Sequence, residues 1–257
     1  MLRILFLGDI VGEPGRTAFQ ARAKEIKTRE EVDFLIVNGE NAAGGRGITP
    51  KISIDLLRAG AAVITTGDHV WDQKEVVDYL ETEPRLLRPL NYPVGTPGSG
   101  SIVLETEKGA VGVICVQARS FTMPHLENPF LALESEVEEM RKMARVIFVD
   151  AHGETTSEKT AIARLLDGKV SAVIGTHTHV PTADEQIFPG GTAFQCDAGM
   201  CGPSESILGR DIDSVISRFR TSMPRRMPVA KGLVHLNGIL VDVDESISLG
   251  EWVVDIL

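Results

Sequence analysis

Short runs of aliphatic and β-branched residues alternate along the chain with amphipathic stretches, a rhythm that predicts an α/β architecture. Residues 2–8 read as a buried strand, and the stretch after Pro14, with Phe19, Ala23 and Ile26 set among Arg and Lys, as its helix. The pattern continues with a strand at 34–38, a helix at 52–59, a strand at 62–66 and a helix at 73–80. A Pro- and Gly-rich segment, 88–100, breaks the rhythm, and 102–105 with 111–116 then read as a hairpin turning through Lys108-Gly109. A helix at 131–143 leads into a strand at 146–150, and a helix at 157–166 into a strand at 172–175. Beyond Pro181 the pattern is strand and loop with one helix at 213–219, and the runs 232–243 and 247–254 alternate as antiparallel strands. No repeat and no linker divides the chain, so residues 1–257 are expected to form one domain of mixed sheet, or two packed sheets, with helices outside.

Composition narrows the classes of function. Of 257 residues, 36 are acidic and 26 basic, and the net charge of −10 argues against general nucleic-acid binding, which needs a basic face. It leaves room for a site where bound cations reverse the local sign. No apolar run approaches the ~20 residues that span a bilayer, and the first residues lack the pattern of a signal peptide. The three cysteines form no Cys-x-x-Cys pair; Cys115 and Cys196 sit in apolar runs and Cys201 in a Gly-rich loop. Reduced thiols and a cytoplasmic location are the expectation.

The chemistry is concentrated where strands end. Five strand candidates finish in residues able to hold a metal: LFLGD at Asp9, FLIVNGEN at Glu40 and Asn41, AVITTGDH at Asp68 and His69, VIFVDAH at His152, and VIGTHTH at His177 and His179. Parallel strands of one sheet bring such tips together, and ligand sites of open α/β sheets form there. Taken singly, each has a plain alternative: Asp9 as a helix cap, Glu40-Asn41 as turn chemistry, His152 as a satisfied buried histidine. His177 and His179, two apart in an extended segment, would point the same way. Imidazole and carboxylate recurring at successive tips have no common structural reason, and the mixture suits iron, manganese or zinc better than magnesium or calcium. Seven donors exceed what one tetrahedral ion can use, so two ions sharing a carboxylate are expected, an arrangement suited to hydrolysing phosphate esters.

The strings LFLGDIVGEPGR, VNGENAAGG, TTGDHVWD, VDAHGETTSEK and IGTHTHVPTAD resemble the signature set of the calcineurin-like metallophosphoesterases, and more narrowly the bacterial YmdB-type phosphodiesterases. RPLNYP, GTPG and GTAFQCDAGMCGP extend the likeness over nearly the whole chain. The resemblance implies a four-layer α/β/β/α sandwich, two mixed sheets flanked by helices, with a dinuclear centre at the strand ends. It assigns Asp9, Glu40, Asn41 and His179 to one ion and Asp68, His152 and His177 to a second, with Glu40 bridging. It makes His69 the residue that protonates the leaving oxygen or steadies charge on phosphate. It implies hydrolysis of 2′,3′- or 3′,5′-cyclic nucleotides by a metal-bridging hydroxide, with iron foremost and manganese or zinc as alternatives, and self-association into a homo-oligomer.

Two positions depart from that pattern. Val11 stands where the wider superfamily has a His, with Asn41 taking over, and Asp68 stands where the family usually has Asn. Asp68 adds a full charge, which should tighten the second ion, weaken its pull on bound water and raise the pKa of His69. Two rival readings remain at this level: a phosphomonoesterase or 5′-nucleotidase on the same ligands, and a nucleotide-binding regulator with little turnover. Arg46 in a Gly-rich loop, Arg119 after an apolar strand, and Trp71 and Phe121 as stacking platforms are weaker candidates, for which surface loop, salt bridge and core are the plainer roles. His125 and His235 fall outside the strand-end pattern, and Asp197 reads as turn chemistry.

Overall fold

The computed structural model describes residues 1–124, 126–244 and 252–256. The chain begins β1 (Leu2–Leu7), β2 (Asp9–Ile10), α1 (Gly12–Arg29), β3 (Phe34–Asn38), α2 (Pro50–Ala59), β4 (Val63–Thr65) and α3 (Val76–Leu80). It continues through β5 (Ser101–Thr106), β6 (Gly109–Gln117), α4 (Pro129–Met140), β7 (Val146–His152), α5 (Thr156–Leu165) and β8 (Ala172–Thr176). The last third holds β9 (Gln186–Ile187), β10 (Ala193–Gln195), β11 (Met200–Pro203), α6 (Ile212–Thr221), β12 (Val234–Leu236), β13 (Gly238–Val243) and β14 (Trp252–Ile256). His125 and the expected strand residues 247–251 lie outside the described residues.

Two mixed sheets face each other. One has the order β14-β13-β1-β3-β4, the other β5-β6-β7-β8-β10-β9. Within them β1, β3 and β4 run parallel, as do β6, β7, β8 and β10, while β13 lies antiparallel on β1 and β5 on β6. Such strands are buried on both faces, which is why they read as unbroken apolar runs rather than alternating ones. Leu2, Ile4 and Phe6 of β1 turn inward with Ile36 and Val63 to meet Val113, Val146, Phe148 and Ile174 of the other sheet. The Phe6 and Phe148 rings meet across this layer at 5.0 Å.

The alternate residues turn outward. Leu5, Leu35, Val37 and Ile64 pack beneath Phe19 and Ile26 of α1 and Leu56 of α2. Val149 and Val173 pack beneath Leu133 and Val137 of α4 and Ile162 of α5. The four-layer α/β/β/α sandwich is therefore the architecture. A third sheet, β12-β11-β2, is an addition: the run expected at 232–243 splits into β12 and β13, and β2 and β11, two and four residues long, are too short to show a period. α3 starts at Val76, three residues later than the pattern predicts, since Asp72 N bonds His69 O in a turn and the Gln73 side chain bonds Arg46 O. Among the described residues no helix is long and apolar enough to cross a membrane.

Candidate metal centre

The carboxyl ends of β3, β4, β7 and β8 point to one rim of the sandwich, and all seven expected metal donors are found there, with His69 beside them. Asp9 opens β2 and is fully buried; its Oδ2 accepts from the backbone N–H of His177 at 3.1 Å, and its Oδ1 has no hydrogen-bond partner. It does not cap α1, whose first turn follows Val11 without a side-chain cap. Glu40 and Asn41 follow β3, Asp68 and His69 follow β4, His152 is the last residue of β7, and His177 and His179 follow β8.

Glu40, Asp68, His152 and His177 offer donor atoms that all lie within 4.8 Å of one another. Glu40 Oε2 is 2.6 Å from His152 Nε2 yet makes no aligned hydrogen bond. His152 Nε2 is 3.1 Å from Asp68 Oδ1, and His177 Nδ1 is 3.1 Å from His152 Nε2 and 3.3 Å from Asp68 Oδ1. Gly67 permits this crowding, because a Cβ there would collide with Glu40 Oε2 and His152 Nε2. A second group adjoins the first: His179 Nε2 is 2.9 Å from Asn41 Oδ1 and 4.0 Å from Asp9 Oδ1.

The two histidines after β8 do not share a direction. Their φ angles are 98° at His177 and 67° at His179, so the segment is a left-handed turn and not the extended strand its spacing suggested. Alternation of side chains holds only for extended backbone. Here the rings part, His177 toward Asp68 and His152, His179 toward Asn41.

The donor set fits transition-metal ions. Each of these histidines has its outer nitrogen engaged: His152 Nδ1 with Thr176 Oγ1 at 2.9 Å, His177 Nε2 with Glu154 Oε2 at 3.2 Å, and His179 Nδ1 with Leu208 O at 3.1 Å. The inner nitrogens face the carboxylates, which is how metal-binding imidazoles are held. Imidazole with carboxylate and amide oxygen suits iron, manganese or zinc.

Charge is poorly balanced here. Burial, helped by the charges of Asp68 and Asp9 and opposed by His152, pushes Glu40 up to about 8. His152 is raised despite its burial, chiefly by the charge of Glu40. Burial works against ionisation of Asp68, but hydrogen bonds from His152 and His177 outweigh it and hold the carboxyl well below the usual range. A proton shared between Glu40 and His152 would be released to solvent when a cation takes its place.

His69 stands beside this cluster. Its Nδ1 lies 3.3 Å from Asp72 Oδ2, 3.4 Å from an Arg46 nitrogen and 3.7 Å from Asp68 Oδ2, and its Nε2 has no partner among the described residues. The expected rise in its pKa is not found. Burial, with the nearby Arg46 charge, lowers it and outweighs the pull of Asp68, which sits too far away to hydrogen-bond.

The sequence profile of the YmdB-like protein family matches residues 5–252. This chain belongs to the YmdB-like family. A relative from Bacillus subtilis (strain 168), named 2′,3′-cyclic-nucleotide 2′-phosphodiesterase, is 46% identical over 244 residues, 95% of this chain and 92% of that one. The crystal structure of a hypothetical protein from Thermus thermophilus superposes with a TM-score of 0.92 at 39% identity, covering 100% of this chain and 99% of that one. A Mycoplasma pneumoniae structure described as a novel phosphatase gives 0.90 at 33% identity, covering 99% and 93%.

Several residues that shape the YmdB-like centre escaped the sequence reading. Lys159 is fully buried and donates to Asp197 at 3.0 Å and to Thr176 O at 3.2 Å. Asp197, expected to serve only its own turn, also accepts from Thr178 N, so this ion pair holds the turn that carries His177 and His179. A signal was present: Lys159 occupies the buried face of α5 with Ile162 and Ala163, where an apolar residue belongs. Glu154 and Thr176 left none, being ordinary polar residues at a strand end.

Of the weaker candidates, Trp71 takes its plainer role in the core, whereas Arg119 does not form the expected salt bridge among the described residues and Phe121 is exposed rather than buried. Arg46 pairs with Asp72 at 2.7 Å, and Trp71 packs edge-on against Tyr92 at 5.5 Å. Backbone N–H groups of Arg119 and Ser120 bond Glu158, with no ion pair of the Arg119 guanidinium among the described residues. Phe121 is exposed, His235 lies in β12 opposite Gly202 of β11, and the three cysteines are buried and free.

Proposed function

We propose that this chain is a metal-dependent phosphodiesterase that opens 2′,3′-cyclic nucleotides, using two transition-metal ions at the rim. Asp9, Asn41 and His179 would hold one ion, Asp68, His152 and His177 the other, and Glu40 both. The observation that carries the reading is the convergence of buried donors with unspent lone pairs, Asp9 Oδ1 and Glu40 Oε2 among them, on imidazoles whose outer nitrogens are already engaged. The name of the Bacillus subtilis relative supports the substrate class.

Bound ions supply positive charge for the phosphate oxygens and lower the pKa of a coordinated water. The chain does the rest. Glu40 would reach both donor groups and so set their spacing. His69 has its Nδ1 beside Asp72 and its Nε2 free, and so presents an imidazole edge to the departing ribose oxygen, the place of a general acid. Arg46, on the loop beside His69, adds positive charge where the phosphate would enter.

Metal analysis of the purified protein, with product analysis on 2′,3′- and 3′,5′-cyclic AMP and on nucleoside monophosphates, tests this. About two ions per chain and a monophosphate product from the 2′,3′-cyclic substrate are expected. Release of inorganic phosphate from monophosphates as the dominant reaction would replace the reading with a phosphomonoesterase. Absence of both metal and turnover would reject it.

A further inference from the structure

Between the sheets, just below the rim, lies a carboxylate that the proposed reaction does not touch. Asp150 of β7 is fully buried, with Asn38, Thr65 and Thr176 equally buried around it. Its Oδ2 accepts from Asn38 Nδ2 at 2.9 Å and from the Thr65 hydroxyl, and its Oδ1 accepts from Thr176 Oγ1 at 2.6 Å. Asn38 and Thr65 belong to one sheet, and Asp150 and Thr176 to the other.

Each donor leads to the metal centre. Thr176 Oγ1 also meets His152 Nδ1 at 2.9 Å, and Asn38 Oδ1 accepts the backbone N–H of Glu40 at 3.0 Å. Thr65 ends the strand that continues into Asp68. The proton directions follow from donor counting. Three donors converge on Asp150, so it acts as acceptor, and the single hydroxyl hydrogen of Thr176 goes to it. Thr176 must then accept from His152 Nδ1–H, so that when Nε2 gives up the proton it shares with Glu40, the lone pair left there faces Glu40 and Asp68.

A buried carboxylate is costly, and an apolar pair of the same shape would hold two sheets together at less cost. Its retention is explained by what it orients. We propose that Asp150 is a positioning residue: acting through Thr176 and Asn38, it sets the tautomer of His152 and the backbone of Glu40 before any ion arrives. This rests on the two-ion reading of the same centre.

The test compares Thr176→Val, which keeps shape and loses the hydroxyl, with Thr176→Ser, which keeps the hydroxyl, and with Asp150→Asn. Affinity is read by competing Mn²⁺ or Co²⁺ against a chelator, alongside the visible spectrum of the Co²⁺ form and a thermal melt. Thr176→Val should weaken one of the two ions by ~10–100-fold, the scale of outer hydrogen-bond partners at metal sites, and alter the Co²⁺ spectrum. Thr176→Ser should stay near wild type. Asp150→Asn should weaken the same ion and lower kcat more than it changes KM. Wild-type affinity and spectrum in Thr176→Val, or equal loss in the Ser and Val variants, overturns the proposal. Should Asp150→Asn fail to fold, the Val and Ser pair decides alone. Wild-type protein that binds no metal in the same assay would instead sink the two-ion reading.

Discussion

The two halves of the rim are built differently. Glu40, Asp68, His152 and His177 crowd their donor atoms within 4.8 Å, supply two carboxylates, and are braced from below by a polar network joining both sheets. Asp9, Asn41 and His179 supply one carboxylate, a neutral amide and one imidazole, with 4.0 Å between His179 and Asp9. The difference teaches that, with an ion in each half as proposed, affinity should be unequal: the crowded, more anionic half should hold its ion more firmly, and the half with one carboxylate should exchange first.

The harshest way to break this comparison is to remove what the halves share. Glu40→Ala should release both ions, so that metal analysis finds less than one per chain and turnover falls to background; two retained ions would refute the shared carboxylate. Next comes His69→Ala, which should keep both ions and lose ~10²-fold or more in kcat on a cyclic nucleotide, in the range of a general acid. A nitrophenyl diester, whose leaving group needs no proton, should show a much smaller loss, and equal losses on both substrates would remove the acid role.

Lys159→Met attacks the turn that carries His177 and His179 from beneath. Leaving Asp197 buried without its cation should cost ~3–5 kcal/mol of stability, read by denaturant melts. In the variant that still folds, the ion beside His179 should be lost first to a chelator.

Asp68→Asn is the mildest change and the sharpest for the comparison. Removing one negative charge from the crowded half should bring the two ion affinities closer together. Activity under saturating metal should be maintained or rise. A collapse in turnover would show that the Asp68 charge is needed rather than tolerated.

Much of this was legible in the chain. The continuous apolar runs of β1, β3, β7 and β8 announced strands buried on both faces, and the donors stood at their ends, where parallel strands deliver them. The left-handed turn at His177 and His179 was not legible, because spacing describes side-chain direction only when the backbone is extended. The short strands β2 and β11 were also invisible, since two to four residues carry no period, and nothing showed that β12 would split off the run 232–243 to join them. The lowered pKa of His69 escaped for another reason: burial is a property of the assembled molecule, and here it outweighs the carboxylate next in sequence.

By itself the sequence determined where the longer strands run and which donors stand at their ends, because hydrophobic period and strand ends are local properties; the layering came from the family resemblance. Only the tertiary structure decided which donors face one another, which nitrogen of each imidazole stays free, and which buried charges brace them. Those are set by contacts between residues far apart in the chain, such as His177 and Asp9, 168 positions apart, and no local pattern encodes them.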